Sequence, residues 1–262
     1  MTEFWRSSAV ASLEARRSAQ ENSCYRQHTH DALSVGVINA GLSIFTGPIT
    51  GGVRLEPGDV VIVPAGHVHA CNPERGHWLY RMIHLDQEWA ASLMPRATSM
   101  ELFDGVNVLR DPVLGDIANG LTDVLFLDPP RERIEEEFSG LFAVAGRVPA
   151  AHRVRSTVDP VLWARVEPVL RRLRDDAAAP RLEALGALVG MSSYQVVRAV
   201  KRATGLSPIA WRQNARVTRA RRMLRDGESI AETAHVLGFT DQSHFHRVFR
   251  AHVAASPGSY RG

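Results

Sequence analysis

Four histidines stand in two closely spaced pairs near the N-terminus, His28 with His30 and His67 with His69. Residues two positions apart on a β-strand point to the same side of the sheet, and in a closed barrel that side can be the interior. Imidazole nitrogens bind transition metals such as zinc, iron and nickel. The spacing leaves two interpretations open: His28, His30 and His69 hold a divalent transition metal, or the histidines line a pocket that forms hydrogen bonds to an organic effector.

Trp78, Tyr80 and Met82 alternate along a third segment. Alternation places all three on one face of a strand, so we expect Trp78 and Tyr80 to line the effector pocket beside the histidines. Ordinary core packing is the equal alternative for these large side chains. For the histidines, the alternative is a pair of polar strand faces without a ligand.

The segments that position these residues have the pattern of a small antiparallel barrel. Short runs rich in β-branched residues at 33–38, 42–45 and 60–63 alternate with glycines. Such regular spacing of short strands and turns is typical of a barrel. We therefore predict strands from residue 24 to about residue 85.

Two amphipathic helices are predicted after the barrel, at 114–127 and 131–145. The apolar stripe of an amphipathic helix most often packs on its own domain, and a contact between two copies of the chain is the alternative. The run of three glutamates at 135–137 is interpreted as a solvated face. The apolar stripe of the first helix consists of Leu114, Ile117, Leu121, Val124 and Leu125.

The C-terminal part of the chain contains one segment twice. Residues 185–212 match residues 234–261 at a shift of 49 positions, so that Arg198 falls on Arg247. A repeated helical unit with a basic stripe indicates a pair of DNA-binding modules. Other aligned pairs are Leu185 with Ala234, Val196 with Phe245, Lys201 with Arg250, Pro208 with Pro257 and Trp211 with Tyr260.

Each copy predicts a helix-turn-helix. The first helices are expected at 182–189 and 230–236, and the turns contain Gly190 and Gly238. The second helix of such a unit enters the major groove, where its outward side chains contact base edges and phosphates. The predicted DNA-binding residues are Tyr194, Gln195, Val197, Arg198, Lys201, Arg202, Gln242, Ser243, His246, Arg247 and Arg250.

Charge divides the chain into an acidic half and a basic half. Residues 151–262 contain 19 Lys and Arg against 9 Asp and Glu, whereas residues 1–150 contain 12 against 19. The basic half suits attraction to phosphate, and the acidic half shows that basic composition is not uniform along the chain. With 262 residues, the chain is long enough for two domains.

The C-terminal motifs resemble the AraC/XylS family of bacterial transcriptional regulators. The first copy fits through Gly190-Met191-Ser192, Arg198, Lys201, Gly205-x-Ser207-Pro208 and Arg216. It departs from the family pattern at Val200 for Phe and Gly186 for Ala, and the second copy departs at Ala254 for Gly. The second copy fits through Ala234-x3-Gly238-Phe239-x-Asp241-Gln242-Ser243-His244-Phe245-x-Arg247-x-Phe249-Arg250 and Ser256-Pro257-x2-Tyr260-Arg261.

This resemblance implies two helix-turn-helix units joined by a long helix at about 209–225, with both recognition helices in successive major-groove segments about 34 Å apart. The N-terminal segment 58–69 is similar to the second motif of the cupin barrel, and 28–30 occupies the place of the first. Many regulators of the family carry a cupin-like effector domain. Some use helices such as those predicted at 114–145 as a dimer contact.

The expected fold class is therefore α+β, with an N-terminal cupin-like antiparallel β-barrel, flanking helices and a C-terminal all-α domain. We predict an effector-binding and dimerisation domain at 1–146, a linker at 147–159 and a DNA-binding domain at 160–262. A helix at 161–175 opens the DNA-binding half. The expected function is a sequence-specific transcriptional regulator whose promoter binding responds to a small molecule, or to a metal, in the barrel.

A cupin-type metalloenzyme, an isomerase or dioxygenase, is the alternative function. It is disfavoured because a catalytic cupin usually supplies a Glu four or five residues after the first histidine pair, where Ser34 and Val35 stand. An alkylation-repair protein with a similar helical module is disfavoured because Cys24 and Cys71 form no metal-binding cluster.

The expected partners are double-stranded promoter or operator DNA, a small-molecule effector, a second copy of the chain and, as a further candidate, RNA polymerase. Neither a signal peptide nor a run of 18 apolar residues is visible, so we expect a cytoplasmic protein without a membrane partner. Both cysteines are interpreted as reduced thiols.

Overall fold

The computed structural model describes residues 2–21, 25–47, 52–155, 159–176 and 178–262. Its strands are β1 (Thr2–Arg6), β2 (Glu14–Glu21), β3 (Leu33–Ala40), β4 (Ser43–Thr46), β5 (Val53–Leu55), β6 (Val60–Val63), β7 (Ala70–Pro73), β8 (His77–Leu85), β9 (Gly105–Leu109) and β10 (Ala150–Arg155). Its helices are α1 (Gln87–Ser92), α2 (Arg96–Leu102), α3 (Pro112–Leu125), α4 (Arg131–Ala145), α5 (Pro160–Asp175), α6 (Leu182–Val189), α7 (Ser193–Thr204), α8 (Pro208–Arg225), α9 (Ile230–Val236), α10 (Gln242–Val253) and α11 (Pro257–Arg261).

The strands form two antiparallel sheets that share one interior. Seven strands lie in the order β1-β2-β8-β3-β6-β9-β10, and three lie in the order β5-β4-β7. Trp78 and Val106 of the large sheet pack in one buried cluster with Phe45 and Leu55 of the small sheet. The opposite face of the large sheet packs on α3 and α4. The predicted α+β class with an N-terminal barrel is confirmed.

Two strands precede the region that was predicted to be β-structure. The sequence of β2, EARRSAQE, lacks the apolar alternation of a strand. Nevertheless Glu14, Arg16, Ser18 and Gln20 are buried, since this face of β2 contacts the C-terminal domain rather than an apolar core. Hydrophobic patterning therefore cannot detect the strand.

The segment predicted to be a linker, 147–159, contains a further strand. Strand β10 pairs antiparallel with β9 at the edge of the large sheet, with Val154 opposite Val106. Most residues of β10 are exposed or half-buried, so its sequence shows no apolar pattern. The domain boundaries at 146 and 160 stay a prediction.

Helices α3 and α4 cover the outer face of the large sheet. Leu114, Leu121 and Leu125 of the predicted stripe are fully buried against this chain's own core, and Ile117 packs at its edge. The core partners on α4 include Phe138 and Phe142. This side of α3 is therefore occupied within the chain.

No described helix is long and apolar enough to cross a membrane.

The C-terminal domain consists of two helix-turn-helix units joined by α8. Apolar residues of α5, α6 and α7 form the first core, and those of α9 and α10 form the second. Helix α8 contributes Trp211 to the first core and Val217 to the second. The two predicted units and the long connecting helix are thus present.

Both turns use a glycine in the left-handed conformation, with φ of 64° at Gly190 and 66° at Gly238. The two turns share an equivalent hydrogen bond, from Met191 N to Gly186 O and from Phe239 N to Ala234 O, both 3.0 Å. Gly186 is therefore equivalent to Ala234, and the expected pairing of Leu185 with Ala234 is wrong by one residue. The shift is 48 in the turns and 49 in the recognition helices, because the second unit has one additional residue after its turn.

Gly186→Ala is expected to destabilise the chain by about 1–3 kcal/mol. A Cβ atom at Gly186 would overlap the backbone carbonyl oxygen of Met191, which cannot move without opening the turn. The matched control is Gly140→Ala in α4, where nothing lies within 4 Å of the added atom. This control should stabilise the helix by roughly 0.5–1 kcal/mol. Urea unfolding compares both variants with wild type, and equal stabilisation by the two substitutions would contradict the turn geometry.

Candidate functional site

The recognition helices α7 and α10 begin at side-chain caps. Ser192 accepts a hydrogen bond from Gln195 N, and the Gln195 side chain accepts one from Ser192 N at 2.8 Å, which completes a capping box. Asp241 caps α10 by accepting from His244 N at 2.7 Å. Each cap fixes where the helix starts and therefore which side chains face outward.

The predicted DNA-binding residues lie on the outer faces of these two helices. Val197 and His246 are half-buried, and the other nine residues are exposed. The side-chain oxygen of Gln195 is occupied by the capping box, which leaves its amide nitrogen free for another partner. Arg198 donates to the Tyr194 hydroxyl at 3.3 Å. The contact of these residues with DNA stays a prediction.

Three of the four predicted histidines meet inside the barrel. One ring nitrogen from each of His28, His30 and His69 lies within 4.8 Å of the others. The prediction that they stand on regular strands is wrong. An isolated bridge joins the segments, with His28 N donating to His69 O at 3.0 Å and His69 N donating to His28 O at 2.9 Å.

His67 does not belong to this cluster, although it was predicted to face the same way as His69. The backbone at residues 64–67 forms a turn, in which His67 N donates to Pro64 O at 3.3 Å. The His67 side chain therefore lines a cleft between the barrel and the first helix-turn-helix unit. Strand alternation fails here because the strand ends at Val63.

Two further buried histidines that the sequence did not predict lie beside the cluster: His84, and His252 of α10, whose ring centroid is 6.4 Å from that of His28. The His84 ring centroid lies 4.5 Å from that of His30, and its Nδ1 lies 2.9 Å from the Ser34 hydroxyl. His84 has the same parity along β8 as Trp78 and Tyr80, so continuing the alternation by four residues would have found it. The alternation signal therefore includes a polar residue as well as the aromatic ones.

Trp78 and Tyr80 are buried in the barrel interior, with their ring centroids 4.2 Å apart. The Tyr80 hydroxyl is hydrogen-bonded to that of Tyr25, and the Arg16 guanidinium lies 5.0 Å from the Tyr80 ring centroid. Met82 packs at the margin of the same cluster. These residues lie in the barrel interior, and the role of Trp78 and Tyr80 in effector binding stays a prediction.

Burial keeps the histidines neutral. It lowers the pKa of His69 to about 4, and burial together with neighbouring positive charge lowers the pKa of His28, His30 and His84 well below the usual value. Neutral imidazoles keep a nitrogen lone pair. Burial raises the pKa of the Cys71 thiol to about 12, so it is not a thiolate; Cys24 lies outside the described residues.

A buried group of side chains, Glu14, Arg221 and Tyr260, joins the barrel to the C-terminal domain; we call it the interdomain clamp. Arg221 Nη2 donates to Glu14 Oε1 at 2.9 Å, and the Tyr260 hydroxyl donates to Glu14 Oε2 at 2.6 Å. Glu14 is 1% exposed and Tyr260 is 0% exposed. Burial alone would raise the pKa of Glu14, but Arg221 and the Tyr260 hydroxyl outweigh it and lower that pKa.

The clamp is surrounded by further contacts between the two halves. Arg16 Nη1 donates to Val253 O at 2.8 Å, and Asn214 Nδ2 donates to Thr29 Oγ1 at 2.8 Å. Arg221 also reaches the histidine cluster, with its Nη1 3.2 Å from His30 Nδ1. Arg221 of α8 therefore belongs to the clamp and also contacts the candidate effector site.

Replacing Glu14 with Ala is expected to loosen the contact between the two halves, since the buried Arg221 loses its carboxylate and breaking such a pair costs about 3–5 kcal/mol. Asp31→Ala is the control: it removes an exposed ion pair to Arg222, a change worth about 1 kcal/mol or less. Hydrogen exchange of the full chain should accelerate in 2–20 and 251–261 for Glu14→Ala alone. Unchanged exchange in that variant would show that the clamp does not hold the halves together.

Comparison with known proteins connects this architecture to a family. A profile described as an AraC-like ligand-binding domain matches residues 11–141, and one described as a helix-turn-helix domain matches residues 185–262. The arabinose operon regulatory protein of Salmonella typhimurium is 22% identical over 220 residues, which cover 79% of this chain and 75% of that protein. The transcriptional regulator MtrA of Neisseria gonorrhoeae is 24% identical over 237 residues, covering 78% and 77%.

The fold is similar to that of ToxT from Vibrio cholerae. A structure of ToxT with an unsaturated fatty acid bound has a TM-score of 0.59 and 12% identity, covering 98% of this chain and 97% of that one. At this identity the likeness concerns the fold alone. Together with the two profile matches, it places the barrel and the paired helix-turn-helix units in one architecture, and the chain belongs to the AraC family of transcriptional regulators, with an effector-binding domain followed by a DNA-binding domain.

Proposed function

We propose that this regulator places α7 and α10 in two successive major-groove segments, and that an effector among the barrel histidines controls this binding through α8. The observation that carries the proposal is the clamp: Arg221 lies on the helix that joins both DNA-binding units, and it contacts Glu14 and His30 of the barrel. A change at the histidines therefore has a direct contact through which it can act on the DNA-binding half.

Base recognition is assigned to Arg198 and Arg247, which occupy equivalent exposed positions on the two recognition helices. A guanidinium can donate two hydrogen bonds to the O6 and N7 atoms of guanine, which discriminates by roughly 1–3 kcal/mol. Lys201, Arg202 and Arg250 are assigned to phosphate contacts, which add affinity without sequence preference.

The barrel restricts the first recognition helix in this arrangement. Tyr194, Arg198 and Lys201 of α7 line a cleft of about 1010 Å³ whose opposite wall includes Val68 and Arg153 of the barrel. A duplex that inserts its backbone and major groove around α7 needs far more room than this cleft offers. We propose that the barrel must move away from α7 before both units engage the operator, so that release of the clamp favours DNA binding.

The effector site is proposed at His28, His30, His69 and His84, next to Trp78 and Tyr80. The void that His30 and His84 share with the clamp measures about 10 Å³, which is close to the space of one water molecule. Only a species about as small as one water molecule therefore fits this void without rearrangement of the interior. A ligand of the size of the fatty acid bound to ToxT would require these side chains to move.

A regulatory role is favoured over a metalloenzyme. The Ser34 hydroxyl, which stands where a catalytic cupin supplies Glu, is fully buried and hydrogen-bonded to His84. The carboxylate that lines the small void, Glu14, is held by Arg221 and Tyr260. Among the described residues around that void, no carboxylate is free to act as a general base.

The remaining partners are also proposals. Dimerisation would use surface outside the buried stripe of α3, for which exposed Val113 and Leu127 are candidates. A second copy of the chain would double the number of recognition helices and raise apparent operator affinity. RNA polymerase is a further proposed partner at the promoter, and the proposed compartment is the cytoplasm.

Arg247→Ala should weaken binding to the selected operator about tenfold or more, while binding to unrelated duplex changes little, since a base contact is lost. Lys201→Ala should weaken both duplexes by similar factors and reduce the salt dependence by about one phosphate contact. Arg131→Ala on α4 is the control outside the DNA-binding half and should match wild type. Operator DNA is obtained by selection from a random duplex library with the full chain. Wild-type operator affinity in Arg247→Ala would remove the assignment of Arg247 to base recognition.

A further inference from the structure

The imidazoles of His28, His30 and His69 have the arrangement of a metal-binding triad. Their candidate ligand nitrogens lie within 4.8 Å of one another. Nε2 of His28 is 3.2 Å from Nε2 of His30, similar to the roughly 3.4 Å between neighbouring ligands of a tetrahedral zinc ion with bonds of about 2.1 Å. A small movement of the His69 imidazole toward the other two would complete a site with three nitrogen ligands.

In His28 and His69 the ring nitrogen opposite the candidate ligand atom is hydrogen-bonded to a backbone carbonyl, as is common for histidines in metal sites. Nδ1 of His28 lies 2.7 Å from Arg26 O, and Nδ1 of His69 lies 2.9 Å from His67 O. A carbonyl oxygen only accepts hydrogen bonds, so both Nδ1 atoms carry a hydrogen and both Nε2 atoms keep a lone pair. An Nδ1–H that donates to a backbone carbonyl is the usual outer contact of a metal-bound histidine.

The surroundings favour a small, late transition-metal ion. Three neutral nitrogen donors match zinc, cobalt and nickel, whereas magnesium and calcium require oxygen donors. A site with three histidines leaves a fourth position open for water.

We propose that His28, His30 and His69 bind one divalent late transition-metal ion such as Zn²⁺, and that binding breaks the hydrogen bond between Arg221 and His30. This inference rests on the proposed function, because it names the effector and its action on the DNA-binding half.

The hydrogen bonds from Arg221 to His30 and from His30 to His28 explain why metal binding at His30 excludes the contact between Arg221 and His30. Arg221 has only donors, so His30 Nδ1 must accept from it. His28 Nε2 has only a lone pair, so His30 Nε2 must carry the hydrogen that lies between the two rings. A metal ion at His30 Nε2 displaces that hydrogen, and a neutral His30 then carries it on Nδ1, where it faces the Arg221 donor. Two donors cannot bond, so Arg221 or His30 moves.

Movement of Arg221 disturbs the clamp, because the same guanidinium holds Glu14 and donates to the Tyr260 hydroxyl at 3.2 Å. Loss of one hydrogen bond to a charged group corresponds to about tenfold or more in an equilibrium constant. Metal occupancy is therefore expected to shift the chain toward the state in which the barrel is released from α8.

The site is tested on the full chain after removal of metal with a chelator. Zn²⁺ competition against a chromophoric chelator should give one ion per chain, and Co²⁺ should give the visible absorption of a four-coordinate site. His28→Ala and His69→Ala should each weaken Zn²⁺ binding about 100-fold. His67→Ala is the matched control and should bind as wild type does. Absence of stoichiometric Zn²⁺ binding, or unchanged binding in His69→Ala, would overturn the site.

The exclusion between metal and Arg221 is tested by a gain of affinity, which misfolding cannot produce. Arg221→Gln replaces a pure donor with a side chain whose oxygen can accept from His30 Nδ1–H, so Zn²⁺ should bind about tenfold more tightly. Arg221→Lys keeps a donor-only side chain and should show no such gain. Equal Zn²⁺ affinity in Arg221→Gln and wild type would overturn the exclusion.

A separate measurement distinguishes this inference from the proposed function. The chelator-treated chain and the His67→Ala control are assayed for binding to the selected operator. Specific operator binding by a chain that fails the Zn²⁺ titration would refute the metal site and leave the regulatory function intact. Stoichiometric Zn²⁺ binding by a chain that recognises no duplex sequence would refute the proposed function instead.

Discussion

The architecture depends on one buried ion pair between residues 207 positions apart, Glu14 of β2 and Arg221 of α8. Two charges removed from water are tolerated only when their remaining hydrogen-bonding capacity is used. The Tyr260 hydroxyl supplies this for Glu14, and backbone carbonyls are bonded by neighbouring Arg16 and Gln20. The barrel and the DNA-binding half therefore meet through these polar contacts together with an aromatic contact between Phe4 and Tyr260, whose ring centroids lie 5.1 Å apart.

The histidine cluster lies beside this ion pair, and the position gives an AraC-family regulator a short route from effector to DNA. A ligand can shift the equilibrium between docked and released halves only by its preference for one of them. In the proposed switch His30 would provide that preference, since Arg221 requires the ring hydrogen on Nε2 and a metal ion requires it on Nδ1. In this structure α7 faces the barrel across the cleft, and we therefore propose that a released state suits both recognition helices.

The turns and the histidine cluster could be predicted from the sequence. The contacts between the barrel and the DNA-binding half could not. Gly190 and Gly238 marked the two turns, because a left-handed backbone favours glycine, and His28, His30 and His69 were expected together. Strand β2 escaped prediction because its buried residues are polar and face another domain. His67 was misplaced because a turn interrupts the alternation. Glu14 and Arg221 carry no sequence signal of their partnership, since only the folded chain brings them together.

The most direct test of this account is the Zn²⁺ affinity of the full chain, measured with and without saturating operator DNA. If the metal favours the released state and the operator requires it, each ligand must strengthen the other by the same factor. Zn²⁺ is therefore expected to bind about tenfold more tightly in the operator complex than in the free chain. Equal Zn²⁺ affinity in the two states would show that the histidine site and the recognition helices are not coupled.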